Sequence, residues 1–142
     1  MRIMAIDLGD VRTGLAVSDP TGTLVGEAWT ITTRDLGELL KQIADAVAER
    51  KVGQLVLGYP KNMDGTSGAR AEKSEAFKLQ LEQKTGLDVI LWDERRTTKD
   101  ADNILKAVGK RGAKKKKLID CVAASLILEG YLSSLGNSVG SL

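Results

Sequence analysis

The chain has 142 residues, of which 42% are hydrophobic and 28% are charged, and its formal net charge is +2. These values are typical of one globular domain that folds without disulfides, and we expect a single domain over residues 1–142 with a frayed tail at 136–142. The absence of histidine excludes Ser-His-Asp and Cys-His catalysis and histidine-based zinc sites. Any hydrolytic chemistry must therefore use other side chains or metal-bound water, which favours hard cations held by oxygen ligands.

The composition also predicts the cellular location of the protein. No apolar run is long enough to span a bilayer, and Asp7 follows the first residues too soon for a secretory signal. The single cysteine, Cys121, permits no intrachain disulfide and fits a reducing compartment. We therefore expect a cytoplasmic protein with no membrane partner.

The first part of the chain is predicted to form three strands. They cover Arg2–Leu8, Arg12–Asp19 and Thr23–Ile31, and glycine-containing turns separate them. Short turns between consecutive strands indicate an antiparallel meander.

The rest of the chain alternates between helices and strands. Asp35 and Glu38 have the spacing of a helix start, and apolar residues follow at helical spacing to Val47. Then come a strand over 54–58, a helix over 69–84 capped by Gly86, a strand over 88–92, a helix around 101–108, a basic loop over 109–117 and a helix over 118–135. This order predicts an α/β fold, with a mixed five-stranded sheet, helices on both faces and the first strand near the centre.

Three acidic residues are candidates for chemistry. Asp7 ends the first strand, Glu94 follows the last strand, and Asp120 lies at the margin of the apolar arc of the final helix. A cation is a reasonable partner there, because an unpaired charge at a buried seam is costly. Two Mg²⁺ or Mn²⁺ ions about 4 Å apart can support phosphodiester hydrolysis. The alternative is that these acids are ordinary solvated surface groups.

Four segments resemble the YqgF/RuvX family, whose members are described as Holliday junction resolvases and pre-16S ribosomal RNA nucleases. They cover residues 6–19, 56–68, 92–98 and 116–128, with N-M-D-G-T in the second and D-E-R-R-T-T in the third. The resemblance implies a ribonuclease H-like fold and a metal-binding acidic triad that falls on Asp7, Glu94 and Asp120. Tyr59 and Arg96 depart from the family, in which leucine is common at both positions.

Other polar residues are expected to contact nucleic acid. A guanidinium suits phosphate oxygens, so Arg12 is a candidate, although an ion pair with Asp10 or Asp19 is the alternative. The loop over 61–68 either faces an anion or is an ordinary turn, and the threonines after Glu94 either cap a helix or bind phosphate. The expected contacts are Arg12, Lys61, Asn62, Arg95, Thr97, Thr98, Lys114, Lys115, Lys116 and Lys117.

The expected function is that of a nuclease using Mg²⁺ or Mn²⁺. The resemblance implies maturation of the 5′ end of pre-16S rRNA, with resolution of branched DNA as the alternative; paired cleavage of a junction would require a homodimer, and a monomer also remains open. A nucleotide-binding ATPase-like domain is another possibility, but such proteins duplicate this core. A non-catalytic assembly factor that binds nucleic acid would leave the three acids unexplained.

Overall fold

The computed structural model describes residues 1–59, 69–93 and 122–135. In these ranges the strands are β1 (Arg2–Asp7), β2 (Arg12–Ser18), β3 (Val25–Thr32), β4 (Val52–Tyr59) and β5 (Val89–Asp93). The helices are α1 (Leu36–Arg50), α2 (Ala69–Thr85) and α3, which comprises residues 122–135. No helix in these ranges is both long and apolar enough to cross a membrane. The helix predicted around 101–108 and the tail at 136–142 lie outside the described residues.

The five strands form one mixed sheet in the order β3-β2-β1-β4-β5. β1 is the central strand, since it pairs with β2 in the antiparallel sense and with β4 in the parallel sense. β5 adds to β4 in parallel, and β3 adds to β2 in the antiparallel sense. The predicted meander, mixed sheet and central first strand are confirmed. The last residues of β1, β3, β4 and β5 therefore meet at one margin of the sheet, which we call the C-terminal edge.

Apolar side chains alternate between the two faces of the sheet. Met4 and Ile6 of β1 pack on one face with residues of α1 and α2. Ile3 and Ala5 of the same strand pack on the other face with residues of α3. Helices therefore cover both faces, as predicted, because each face of a strand presents every second side chain. We call the two faces the α1/α2 side and the α3 side.

The turn between β2 and β3 explains why β3 begins later than predicted. The Asp19 carboxylate accepts hydrogen bonds from the backbone N–H groups of Thr23 and Leu24, at 2.9 and 3.2 Å. It also accepts a hydrogen bond from the Thr21 hydroxyl, at 2.7 Å. Led by the Thr21 hydroxyl, these bonds lower the pKa of Asp19 to about 2. The strand consequently begins at Val25 rather than two residues earlier.

Helix α1 begins where the sequence predicts. Asp35 is its N-cap, and the carboxylate accepts hydrogen bonds from the N–H groups of Gly37 and Glu38, at 2.9 and 3.3 Å. The buried face of the helix consists of Leu39, Ile43, Ala46 and Val47. A carboxylate at this position satisfies otherwise unpaired backbone donors and interacts favourably with the helix dipole.

The last turn of α1 anchors the edge strand β3. Arg50 donates two hydrogen bonds to the Glu27 carboxylate, at 3.0 and 2.9 Å, and its guanidinium lies 4.3 Å from the centre of the Trp29 ring. The hydrogen bond from Arg50 lowers the pKa of Glu27. A bidentate ion pair combined with a cation–π contact gives this strand a defined position despite its place at the margin of the sheet.

Candidate active site

Asp7 is the last residue of β1 and is half-buried at the C-terminal edge. It lies where the antiparallel half of the sheet meets the parallel half, which is the kind of position where ligands bind in open α/β sheets. Alternation along β1 places Asp7 on the α3 side with Ile3 and Ala5. The sequence prediction for the location of Asp7 is therefore confirmed.

A tight turn follows Asp7. A Cβ atom at Gly9 would lie 2.0 Å from the carbonyl oxygen of Arg12, so only glycine fits this close approach of backbone to backbone. The Gly9 N–H donates to the hydroxyl of buried Thr13, at 3.4 Å. This geometry leads the chain directly from the carboxylate of β1 to the guanidinium at the start of β2.

Arg12 lies on the same face of the sheet as Asp7. Asp7 pairs with Gly14 across the two strands, and residues 12 and 14 share a face because a strand alternates with a period of two. Arg12 is half-buried and lies on this face at a level beyond the last residue of β1. The positively charged side chain of Arg12 therefore belongs to the same face as the Asp7 carboxylate, about two residues further along the strand direction.

The turn after Asp7 is tied to helix α2 by an ion pair between Asp10 and Lys73. Both side chains are exposed, so the pair contributes little free energy of folding. It nevertheless joins the turn to α2 through two residues that are 63 positions apart in the chain. Sequence reasoning did not single out Lys73, because no local pattern reveals a contact between such distant positions.

Strand β4 reaches the same edge and ends at Tyr59, where the sequence departs from the family. The prediction ended this strand at Gly58, but pairing with β5 extends it, since Tyr59 aligns with Asp93. The buried Tyr59 donates a hydrogen bond from its hydroxyl to Glu75 of α2, at 2.7 Å. Tyrosine therefore fixes the end of β4 to α2, which a leucine at this position could not do through a hydrogen bond.

Trp92 of β5 packs against helix α3 on the α3 side of the sheet. The Trp92 ring meets Tyr131 edge to face at 5.9 Å, and the Tyr131 hydroxyl donates to Gln54 at 2.9 Å. Gly130 allows the close contact, since a Cβ atom there would lie 3.3 Å from the indole ring. These contacts fix α3 against the strand whose last residue, Asp93, directly precedes Glu94.

The apolar arc predicted for α3 is confirmed in part, since Val122, Leu126 and Ile127 are buried. Ala124, Leu128 and Tyr131 belong to the cluster on the α3 side, whereas Ala123, which was assigned to the apolar arc, is only half-buried. Buried residues occur almost all round the first half of this helix. Apolar spacing alone therefore identified the helix but not its sheet-facing side.

Asp7 and Arg12 are the two predicted site residues that the structure describes. Within residues 1–59, 69–93 and 122–135, no three carboxylate or thiol side chains form a group that could hold a metal ion. The other two proposed ligands and the other proposed nucleic-acid contacts lie outside the described residues: Glu94, Asp120, Lys61, Asn62, Arg95, Thr97, Thr98, Lys114, Lys115, Lys116 and Lys117.

Solved structures share this architecture. The structure of Thermus thermophilus RuvC in complex with a Holliday junction substrate is similar with a TM-score of 0.62 and 12% identity, over 96% of each chain. The Fowlpox virus resolvase, solved with Holliday junction DNA, is similar with a TM-score of 0.60 and 17% identity, over 95% of this chain and 99% of the resolvase. The sheet order and these similarities define an α/β protein of the ribonuclease H-like fold.

Sequence comparison identifies the family within that fold. The model of the RuvX family, described as Holliday junction resolvase, matches residues 1–134. A protein of Acetivibrio thermocellus named "Putative pre-16S rRNA nuclease" is 46% identical over 138 residues, which cover 96% of this chain and 98% of the relative. A protein of the same name from Bacillus subtilis is 41% identical over 137 residues, covering 95% and 99%. The chain belongs to the RuvX family, and the resemblance found in the sequence is confirmed.

Proposed function

We propose that this protein is a metal-dependent nuclease that hydrolyses phosphodiester bonds in the maturation of the 5′ end of pre-16S rRNA. The observation that carries the proposal is the position of Asp7, a half-buried carboxylate at the end of the central strand where the two halves of the sheet meet. The names of the relatives and of the family supply the substrate classes. The lack of membrane-spanning helices in the described ranges is compatible with the expected cytoplasmic location.

We assign the metal ligands to Asp7, Glu94 and Asp120. A carboxylate set without histidine suits hard cations, and Mg²⁺ or Mn²⁺ fit such oxygen ligands. When bound, a pair of these ions supplies an activated water and neutralises charge on the phosphate oxygens. The chain contributes a carboxylate on a strand that has neighbours on both sides, so its backbone position is fixed before substrate arrives.

Sequence spacing relative to described residues supports the other two ligands. Glu94 comes two residues after Trp92, which packs on the α3 side, so continued alternation would direct it to the same side as Asp7. Asp120 comes four residues before Ala124, and residues four apart share one face of a helix. Both patterns would therefore direct the carboxylates of Glu94 and Asp120 to the side of the sheet on which Asp7 lies.

Arg12 is assigned to a phosphate of the substrate. Its guanidinium offers five donors in a planar arrangement that matches phosphate oxygens, and it shares the face of Asp7. The basic residues Lys114, Lys115, Lys116 and Lys117 would attract the polyanion without reading its sequence. The remaining proposed contacts are Lys61, Asn62, Arg95, Thr97 and Thr98.

A cleavage assay tests the proposal. The protein is incubated with labelled precursor rRNA and, separately, with a four-way DNA junction, each with Mn²⁺ or EDTA. We expect cleavage that requires the metal and falls at least about 100-fold in Asp7→Asn, because the variant loses a charged ligand. Asp45→Asn, on the exposed face of α1, is the matched control and should cleave like the wild type. Full activity of Asp7→Asn would refute the assignment.

The same assay separates the alternatives. Cleavage confined to the junction would favour a DNA resolvase, which is the activity that the family description names, and a homodimer should then be found in solution. Tight binding without cleavage would favour a non-catalytic assembly factor. Hydrolysis of ATP without nucleic-acid cleavage would favour the nucleotide-binding class.

A further inference from the structure

The end of β3 lies directly beside Arg12. Arg12 pairs with Thr32 across β2 and β3, and the next backbone contact joins the Thr33 N–H to the Val11 carbonyl at 2.8 Å. Directly opposed residues in an antiparallel pair present their side chains on the same face, with Cβ atoms about 5 Å apart. Thr32 therefore shares the α3 side with Arg12 and, through the pairing of Gly14, with Asp7.

In the part of the chain that the structure describes, the α3 side of β3 is more exposed than its other side. On the α1/α2 side, Ile31 is buried and Trp29 packs against the core. On the α3 side, Val25 packs against the cluster around α3, Ala28 and Thr32 are exposed, and Thr30 between them is half-buried. The part of the strand nearest the C-terminal edge thus offers a polar side chain to a ligand rather than to the core.

We propose that Arg12 and Thr32 together bind one phosphodiester group of the substrate backbone, so that the nucleic acid leaves the site over β2 and β3. The inference rests on the proposed function, since it concerns the substrate of the same edge. A guanidinium and a hydroxyl side by side provide several N–H donors and one O–H donor, which suit the two unesterified oxygens of a phosphodiester. The ion pair and ring contact of Arg50 hold β3 in place for this role.

The position of the pair distinguishes its ligand from the phosphate that is cut. Arg12 and Thr32 lie two residues beyond the level of Asp7, which corresponds to ~7 Å along the strand direction. The proposal therefore assigns to this pair a phosphate next to the one at the Asp7 carboxylate. Contacts of this kind set the position of the substrate on the protein and carry no sequence information.

Charge substitutions at Thr32 test the inference through binding. The affinities of the wild type, Thr32→Glu and Thr32→Lys for a fluorescein-labelled stem–loop RNA and for a labelled four-way DNA junction are measured by anisotropy, with Ca²⁺ in place of Mn²⁺ so that binding is followed without turnover. Ala28→Glu is the matched control, because it adds the same charge on the same strand and face, four residues further from the edge. Thermal unfolding of each variant verifies that it is folded.

We expect Thr32→Glu to weaken binding about tenfold, since it removes a hydroxyl donor and adds a charge that repels phosphate. Thr32→Lys should bind more tightly and should make the dependence on salt steeper by about one ion. Ala28→Glu should change the affinity less than twofold. Comparing the affinities for RNA and for DNA shows which nucleic acid binds to Arg12 and Thr32.

Equal affinities of Thr32→Glu, Thr32→Lys and the wild type for both nucleic acids would overturn the inference, as would an equal loss in Ala28→Glu. In either case metal-dependent cleavage that Asp7→Asn abolishes would leave the proposed nuclease function intact. A folded wild-type protein that neither binds nor cleaves either nucleic acid would overturn both.

Discussion

Replacing Ala124 with leucine should show how closely α3 packs against the sheet, as distinct from the effect of the substitution on helix propensity. Ala124 is fully buried, and it belongs to the same cluster as Ala5 of β1 and Ala16 of β2, which are also fully buried. Leucine adds three carbon atoms at this contact. If space were available, their burial would contribute about 2.4 kcal/mol, from roughly 0.8 kcal/mol per methylene group.

The cluster that contains Ala124 is already closed to solvent, since Ala5, Ala16 and Leu128 in it are fully buried. We therefore expect a net loss of about 1–3 kcal/mol in the free energy of unfolding, as is usual when a packed core is overfilled. Urea unfolding followed by tryptophan fluorescence measures this loss as a lower midpoint at unchanged m. Because Asp120, a proposed metal ligand, comes shortly before Ala124 in the sequence, cleavage should also decrease in protein that remains folded.

Ala123→Leu is the matched control for this experiment. Residue 123 is only half-buried, and the substitution has the same effect on helix propensity. It should change the free energy of unfolding by at most about 0.5 kcal/mol. If Ala124→Leu were as stable as the wild type, or if both variants lost the same stability, the packing of α3 against the sheet through small side chains would be refuted.

Three further predictions concern hydrogen bonds. Asp35→Ala removes the cap of α1 and should cost about 1 kcal/mol in urea unfolding, whereas an equal loss in Asp45→Ala, on the exposed face of the same helix, would contradict this explanation. Asp19 has a pKa lowered from 3.8 to about 2, so the melting temperature advantage of the wild type over Asp19→Asn should be complete above pH 3.8 and shrink as the pH falls toward 2; a pH-independent difference would contradict it. Tyr59→Phe should cost about 1 kcal/mol in urea unfolding, because it removes the hydrogen bond to Glu75; a smaller loss in a Glu75→Ala background, which lacks the acceptor, would support the contact, and an unchanged loss would contradict it.

Much of the fold follows from local patterns in the sequence. Apolar runs that end at turn residues located the five strands of the described ranges, and the spacing of Asp35 and Glu38 located the start of α1. The order of the elements predicted the sheet, because consecutive strands with short turns pair antiparallel and strands separated by a helix run in the same direction. The errors lie at strand ends, where a side chain such as Asp19 or pairing with a distant strand decides the boundary.

The candidate site was predictable only in part. Asp7 could be located because a strand end is a local property, and its edge of the sheet follows from topology. The neighbourhood of Arg12 and Thr32 could not, since it depends on the register between two strands. The apolar arc predicted for α3 is confirmed for Val122, Leu126 and Ile127, which are buried. It missed Ala124 and Leu128, because buried residues lie on several sides of this helix and the apolar spacing does not single out one face.

The central place of β1 has a consequence for how the site moves. A backbone amide in an edge strand exchanges its hydrogen through local opening, but β1 is hydrogen-bonded on both sides and most of its residues are buried. Its amides should therefore exchange only through events close to global unfolding, and they should be among the slowest in the protein. The carboxylate at its end then cannot be repositioned by loosening its own strand, so any adjustment to different substrates must come from the segments that surround it.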